Sequence, residues 1–281
     1  MAILTLPSDI KKTVKAALKE DIGKGDITAS LIPPQTIATA TVITRETAVL
    51  CGREWFTETM LQLSDGISIS WQVQDGDRVN ENQTLCTIQG PARAILSAER
   101  VALNFLQLLS GIATESRRYA DRVKGLKTAI RDTRKTIPGL RLAQKYAVRC
   151  GGCENHRIGL YDGVLIKENH ILACGSITRA VEQIRASHPK MQIEVEVENL
   201  EEFHEALAAK ADMLLLDNFD RAMLQRAVIL NKGQAKLEAS GGVTFNEIRG
   251  LAESGIDYIA IGTLTKNIQS IDLSMRFTTN T

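Results

Sequence analysis

Hydrophobic and polar positions follow two different rules along this chain. In the first hundred residues a short amphipathic helix near Ile10–Lys19 precedes β-like runs at Thr39–Thr44, Ala48–Cys51, Ile67–Val73 and Thr84–Ile88. Ser64-Asp-Gly66 and Asp75-Gly-Asp77 supply turns between them. Pro91 sits where a helix N-terminus tolerates it. Ile95, Ala98, Val101, Ala102, Phe105, Leu106 and Leu109 then recur at helical spacing, with Gly111 as the expected end. This is a small sheet domain with helices attached, and Trp55 and Trp71 are expected in its core.

Beyond Gly111 the pattern becomes strand, polar end, helix, repeated. Apolar runs at Thr128–Ile130, Gly163–Ile166, Gln192–Val197, Met213–Leu216, Lys236–Ala239 and Tyr258–Ile261 predict strands. Between them Leu140–Arg149, Ile177–Ala186, Leu200–Ala209, Arg221–Leu230 and Phe245–Glu253 predict helices. Thr244-Phe-Asn-Glu247 reads as a capping box, and Asn199 with Glu202 is close to one. Such alternation implies parallel strands joined by right-handed crossovers.

An open doubly wound sheet and a closed barrel both satisfy that alternation. Polar groups follow nearly every strand, at Arg131-Asp132, Lys167-Glu168, Glu196-Val-Glu198, Asp217-Asn218, Ser240-Gly-Gly242 and Gly262-Thr263. Many strands feeding one rim is the barrel arrangement, whereas an open sheet concentrates its site at one switch point. Six clear strands, or seven with a poorly marked one, make that barrel incomplete. The expected organisation is an N-terminal α+β sheet domain over 1–110 and an α/β barrel over 111–270, with a tail, 271–281, that packs back on the first domain.

Composition narrows the function classes. With 34 Lys+Arg against 33 Asp+Glu the net charge is +1, without the basic excess of a general nucleic-acid or anionic-membrane binder. No uninterrupted apolar run approaches a membrane span, and Met1–Asp9 lacks the regions of a signal peptide. Five cysteines is a sparse, odd count that fits a reducing compartment, and a cytoplasmic protein is expected.

Locally the charge is far from even. Residues 131–167 carry eight basic side chains against three acidic ones, and 192–217 carry eight acidic against one basic. Most of these, such as Arg141, Lys145, Arg149, Glu201, Glu202 and Glu205, read as solvated helix faces. Arg134, Lys135, Lys167, Glu196 and Asp217 do not, because they fall at strand ends. Cations there suit a polyanion, and the carboxylates suit Mg²⁺ or sugar hydroxyls. Glu194, Glu196 and Glu198 share one strand face by the period of two.

Ser240-Gly-Gly242 and Ile261-Gly-Thr263, on consecutive late strands, add a phosphate-binding expectation. Glycine lets backbone approach an anion, and the helix after Thr244 is expected to aim N–H groups at it. Cys150-Gly-Gly-Cys153 with His156 lacks the ligands of a structural zinc site and reads as two incidental thiols. His170, His188 and His204 are isolated in the sequence.

Several strings together resemble the quinolinate phosphoribosyltransferase family. They are Glu20-Asp-Ile-Gly-Lys-Gly-Asp-Ile-Thr28, Ala98-Glu-Arg-Val-Ala-Leu-Asn-Phe-Leu-Gln107 and Asp132-Thr-Arg-Lys-Thr-Ile-Pro-Gly-Leu-Arg141. Gly151-Gly-Cys-Glu-Asn-His-Arg157, Leu165-Ile-Lys-Glu-Asn-His170, Glu194-Val-Glu-Val-Glu198, Leu216-Asp-Asn-Phe219 and Glu238-Ala-Ser-Gly-Gly-Val243 follow in the family's order. Cys153 stands where the family often has a third glycine, and Ile137 where threonine is common.

The resemblance implies transfer of phosphoribosyl from phosphoribosyl pyrophosphate to quinolinate with loss of CO₂, giving nicotinate mononucleotide and pyrophosphate for NAD biosynthesis. It also implies an open-faced sheet domain joined to a seven-stranded incomplete barrel, in a homodimer with shared sites. By motif, Arg134, His156, Arg157 and Lys167 match quinolinate-holding positions, with Arg100 reaching in from the partner, and Thr133 is expected among the substrate-binding residues. Lys135 matches a lysine near the reacting centre and pyrophosphate. Glu196 and Asp217 match carboxylates serving the ribose hydroxyls and Mg²⁺, directly or through water. Ser240, Gly241, Gly242, Ile261, Gly262 and Thr263 match a 5′-phosphate cradle. Two rival readings stand beside this one: a sister transferase with another acceptor, and a non-catalytic phosphate-binding barrel.

Overall fold

The computed structural model describes residues 5–279. Met1–Leu4, where the leader reading begins, and Asn280–Thr281, the end of the tail expectation, lie outside the described residues. The chain divides into two compact units. One comprises Met1–Arg117, Thr136–Gly152 and Thr263–Thr281, the other Arg118–Lys135 and Cys153–Gly262.

The first unit contains helix α1 (Ile10–Ile22), strands β1 (Ile37–Thr44) and β2 (Ala48–Val49), helix α2 (Arg53–Leu63), and strands β3 (Ser68–Trp71), β4 (Arg78–Val79) and β5 (Thr84–Pro91). Helix α3 (Ala92–Arg122) follows, its last five residues belonging to the second unit. Helix α4 (Arg141–Cys150) also belongs to the first unit. Strand β1 buries Ala38, Ala40 and Val42, the alternation of a half-covered strand. It lies between β5 and a C-terminal strand, Leu273–Thr279, with both pairings antiparallel. Ile95, Ala98, Ala102, Leu103 and Leu106 of α3 pack in one cluster with Phe56, Met60, Leu85 and Ile88. Trp55 is fully buried, whereas Trp71 packs at the cluster's margin.

Gly111 does not end α3, contrary to the sequence expectation. The helix runs eleven residues further, and a Cβ at position 111 would lie 2.1 Å from the carbonyl oxygen of Gln269. Glycine is there for close approach of another backbone, not for termination. By length and composition α3 is apolar enough to cross a bilayer. Its apolar stripe is nevertheless spent on this core, while Arg100 and Asn104 are exposed.

The second unit carries six parallel strands: β6 (Ala129–Arg131), β7 (Val164–Ile166), β8 (Ile193–Val197), β9 (Met213–Asp217), β10 (Lys236–Ser240) and β11 (Tyr258–Ala260). Helices α5 (Glu168–Cys174), α6 (Ile177–Ser187), α7 (Leu200–Ala208), α8 (Arg221–Asn231) and α9 (Ile248–Ala252) intervene. In the first unit, α10 (Thr263–Lys266) and β12, the strand Leu273–Thr279, complete the elements.

The strand order is β6-β11-β10-β9-β8-β7, so the first strand is paired with the last. Arg131 of β6 nevertheless reaches Glu238 of β10 at 3.1 Å and the Met213 sulfur of β9 at 3.5 Å. Contacts that skip strands on one face require a sheet curled on itself, which selects the barrel over the open sheet. A parallel bridge between Arg131 and Glu154 adds a seventh segment at the free edge of β6. The barrel is incomplete, as the strand count implied.

Two helix expectations change. The segment after Thr244 is helical only over Ile248–Ala252, and Glu247 accepts from the Thr244 N–H and hydroxyl as a turn. A five-residue helix has little dipole to aim at an anion. Asn199 is a true cap of α7, accepting from the N–H groups of Glu201 and Glu202, while Glu202 reaches back to the Glu198 N–H.

Candidate active site

Parallel strands place register partners on the same face, and this register stacks the interior of the second unit in layers. Leu165 pairs with Glu194, Glu196 with Leu215, Leu215 with Glu238, Asp217 with Ser240, and Ala260 with Arg131. On these faces, within two residues of the strand ends, come Lys167, Glu196, Asp217, Ser240, Gly262 and Thr133, towards the C-terminal rim. The period of two thus converts six separate strand-end residues into one ring.

Lys167 Nζ donates to Glu196 Oε2 at 2.5 Å, joining β7 and β8. Burial raises the Glu196 carboxyl above its ordinary value, Lys167 opposes that rise, and the charge of Asp217 adds to it. The Asp217 carboxylate accepts from Asn218 Nδ2 at 2.8 Å. A half-buried carboxyl whose ionisation is opposed by a neighbouring carboxylate suits a further cation or sugar hydroxyls.

Arg134 and Arg157 form the cationic side. The Arg157 guanidinium is lowered from its ordinary value by burial and then by the neighbouring charge of Arg134. Arg157 Nη1 donates to the Gly163 carbonyl at 3.0 Å. Two guanidinium groups held close in partial burial gain from an anion between them. Thr133 Oγ1 accepts from the Lys135 N–H at 3.1 Å, turning the loop that exposes Lys135.

The glycine-rich expectation falls on a cavity of about 520 Å³ lined by Ser240, Gly241, Gly242, Val243, Asn246, Glu247 and Arg221 among others. Gly241 has φ +92, and a Cβ there would collide with Asn218 Oδ1 at 2.2 Å. Only glycine serves at that position. The Ile261 N–H is already committed to the Arg131 carbonyl at 2.8 Å, so its place is in the ladder. Thr263 and Arg100 belong to the first unit, and Arg100 is exposed on α3.

His156 faces inward, beneath the rim. Its Nε2 lies 2.8 Å from Glu194 Oε2 and 3.9 Å from Glu238 Oε1. Its Nδ1 accepts from the Arg157 N–H at 2.7 Å. Burial disfavours the charged imidazole, but Glu194 and Glu238 outweigh it and raise the group. Glu238 is pushed up to about 7 by its burial and by Glu194, against the pull of His156 and Arg131.

This polar layer of Arg131, His156, Glu194 and Glu238 occupies a position where barrels usually place branched apolar residues. The sequence reading put Glu194 on one strand face with Glu196 and Glu198 but missed the charged roles of Arg131 and Glu238. Their signal was parity, since each lies two residues before a rim residue. The three acceptors could surround a metal ion. The Arg157 N–H on Nδ1 argues otherwise, because it leaves the ring's proton on Nε2, the atom a metal would need.

In the first unit the Cys51 and Cys150 thiols and the Asp75 carboxylate also lie close together. Asp75 already accepts from the N–H groups of Gly52 and Arg53 and from Tyr146 Oη. Burial drives the Cys51 thiol well up, with Cys150 and Asp75 adding to the shift. The Cys51 thiol is therefore a protonated packing group. Cys153 is likewise buried.

Residues 26–110 match the family model for the N-terminal domain of quinolinate phosphoribosyl transferase, and residues 112–276 match the model for its C-terminal domain. A probable nicotinate-nucleotide pyrophosphorylase [carboxylating] of Bacillus subtilis is 40% identical over 270 residues, covering 96% of this chain and 93% of its own length. A nicotinate-nucleotide pyrophosphorylase [carboxylating] of Mycobacterium leprae is 41% identical, covering 94% of this chain and 96% of its own. The solved nicotinate-nucleotide pyrophosphorylase of Francisella tularensis superposes with a TM-score of 0.93 at 45% identity, over 98% of this chain and 99% of that one. At 11% identity and a TM-score of 0.62, human nicotinic acid phosphoribosyltransferase shares the fold alone. Both domain models in order, and relatives similar from end to end, make one conclusion plain: the chain belongs to the quinolinate phosphoribosyltransferase family.

Proposed function

We propose that this site transfers phosphoribosyl from phosphoribosyl pyrophosphate to the nitrogen of quinolinate and releases CO₂, yielding nicotinate mononucleotide and pyrophosphate. Family membership carries the reading, and the opposed Arg134–Arg157 and Glu196–Asp217 groups of the second unit support it. Two anionic substrates explain cations gathered in a protein whose net charge is +1.

Quinolinate's two carboxylates would exchange solvent for Arg134, Arg157 and Lys167, with His156 beneath. Departure of pyrophosphate leaves positive charge on the ribose, which Glu196 and Asp217 stabilise electrostatically. Lys135, exposed on the loop after β6, takes up charge developing on pyrophosphate. Gly241 and Gly242 bring backbone against the 5′-phosphate. Once ribosylated, the pyridine nitrogen is cationic and accepts the electron pair left when CO₂ departs, after which a proton replaces it on carbon. The protein's part is position and charge, without a covalent intermediate.

Glu196 and Asp217 fit Mg²⁺, since the charge of Asp217 adds to the cost of ionising Glu196. Mg²⁺ commonly takes one or two carboxylates with phosphate oxygens and water, and when bound would neutralise pyrophosphate. The resemblance further supports a homodimer in which Arg100, exposed on α3, serves the partner's site. The sparse, odd count of five cysteines supports the reducing cytoplasm as the compartment.

The test is release of labelled CO₂ from carboxyl-labelled quinolinate with phosphoribosyl pyrophosphate and Mg²⁺ supplied. Turnover with another acceptor and none with quinolinate would overturn the reading in favour of a sister transferase.

A further inference from the structure

Arg157 is expected to hold an acceptor carboxylate, but its own backbone sits in a segment with few regular strand bonds. Asp132, fully buried after β6, accepts from the His156 N–H at 2.9 Å and from Asn155 Nδ2 at 2.6 Å. The next link is the imidazole itself. Glu194 Oε2 lies 2.8 Å from Nε2, and the Arg157 N–H donates to Nδ1 at 2.7 Å. A ring that accepts at Nδ1 carries its proton at Nε2, so it donates to Glu194. Glu238, tied to Arg131 at 3.1 Å, closes the layer on the other side.

We propose that Glu194 is a positioning residue for the acceptor site, selecting the His156 tautomer that fixes the Arg157 backbone and so aims its guanidinium. The inference rests on the proposed function, in which Arg157 receives a quinolinate carboxylate. What Glu194 supplies is a hydrogen-bond acceptor at one point, and its charge is secondary. An amide oxygen at that point does the same work. An apolar side chain leaves Nε2–H buried without a partner, and the proton moves to Nδ1 or the ring turns. Either change ejects the Arg157 N–H from Nδ1. Phosphoribosyl pyrophosphate binding, which depends on Glu196, Asp217 and the glycine loop, is untouched.

The experiment compares Glu194→Gln with Glu194→Leu in the full-length protein. Steady-state kinetics give the KM for each substrate, and ¹⁵N NMR of the imidazoles gives the tautomer. Glu194→Leu should raise the KM for quinolinate about tenfold or more, the size of one lost buried hydrogen bond, and move that for phosphoribosyl pyrophosphate less than about twofold. It should also erase the Nε2–H signature of His156. Glu194→Gln should restore most of the acceptor affinity and keep the signature. If Glu194→Gln is as damaging as Glu194→Leu, charge and not acceptance is at work, and the inference is overturned. It is also overturned if both KM values rise together or if the wild-type ring is protonated at Nδ1. A wild-type protein inactive on quinolinate yet showing the Nε2–H signature, lost only in Glu194→Leu, would sink the proposed function and leave the network standing.

Discussion

Lys167 and Glu196 neutralise each other across β7 and β8, with Nζ 2.5 Å from Oε2. One is an expected acceptor-binding cation, the other an expected partner of ribose and Mg²⁺. Lys167 opposes the upward shift that burial and the nearby Asp217 impose on the Glu196 carboxyl. Under the proposed function, binding of the two substrates would trade this internal contact for two external ones.

Lys167→Met removes that cation at nearly constant length. Catalytic efficiency on quinolinate should fall by about 100-fold, in the range measured when a buried charge partner is truncated. Steady-state kinetics check it, and an unchanged KM for quinolinate would remove Lys167 from the acceptor site.

Glu238 predicts a pH-dependent stability difference. Its native carboxyl is pushed to about 7 from an ordinary value of 4.5, so the native state binds the extra proton between those values. Stability from this group is therefore greatest at low pH and is lost as pH rises from about 4.5 through about 7. Glu238→Gln abolishes that slope. The melting temperature of the variant minus that of wild type should increase between pH 5 and pH 8, read by thermal denaturation in both. A flat difference would show that Glu238 stays ionised.

Gly111→Ala should destabilise the protein by about 1–3 kcal/mol or more, since its methyl would meet the Gln269 carbonyl and force backbone to shift. Had the glycine been a helix terminator, alanine in this continuous helix would instead stabilise slightly. The sign of the change in denaturation midpoint decides between them.

Release of CO₂ from quinolinate should require both phosphoribosyl pyrophosphate and Mg²⁺, because a neutral pyridine is a poor sink for the electron pair. Chelation with EDTA should stop release, and added Mg²⁺ should restore it. Undiminished release without the sugar donor would reverse the proposed order of transfer and decarboxylation.

Arg100→Ala and Lys135→Ala should each be nearly inactive, while a mixture of the two recovers activity. A mixed dimer holds one site with both residues intact, as two-fold symmetry requires when Arg100 acts in trans. With subunit exchange verified by mass, a mixture as inactive as its parents would falsify the shared site.

The sequence by itself determined the six parallel strands and most of the helices between them, because a buried parallel strand and an amphipathic helix leave distinct periods. It also marked Lys167, Glu196, Asp217 and Ser240 as strand-end residues, and the ordered motifs pointed to the family. It did not show that α3 passes Gly111, since a close backbone approach and a helix stop use the same residue. Nor did it announce α2 or α5, whose short apolar stripes are weak beside those of their neighbours. Tertiary structure alone decided the closure of β6 onto β11 and the convergence of Arg131, His156, Glu194 and Glu238. Those four come from separate segments of the chain, and their chemistry depends on distances of a few ångströms. Periodicity says which face a residue shares, but only the curvature of the barrel sets what it meets across that face.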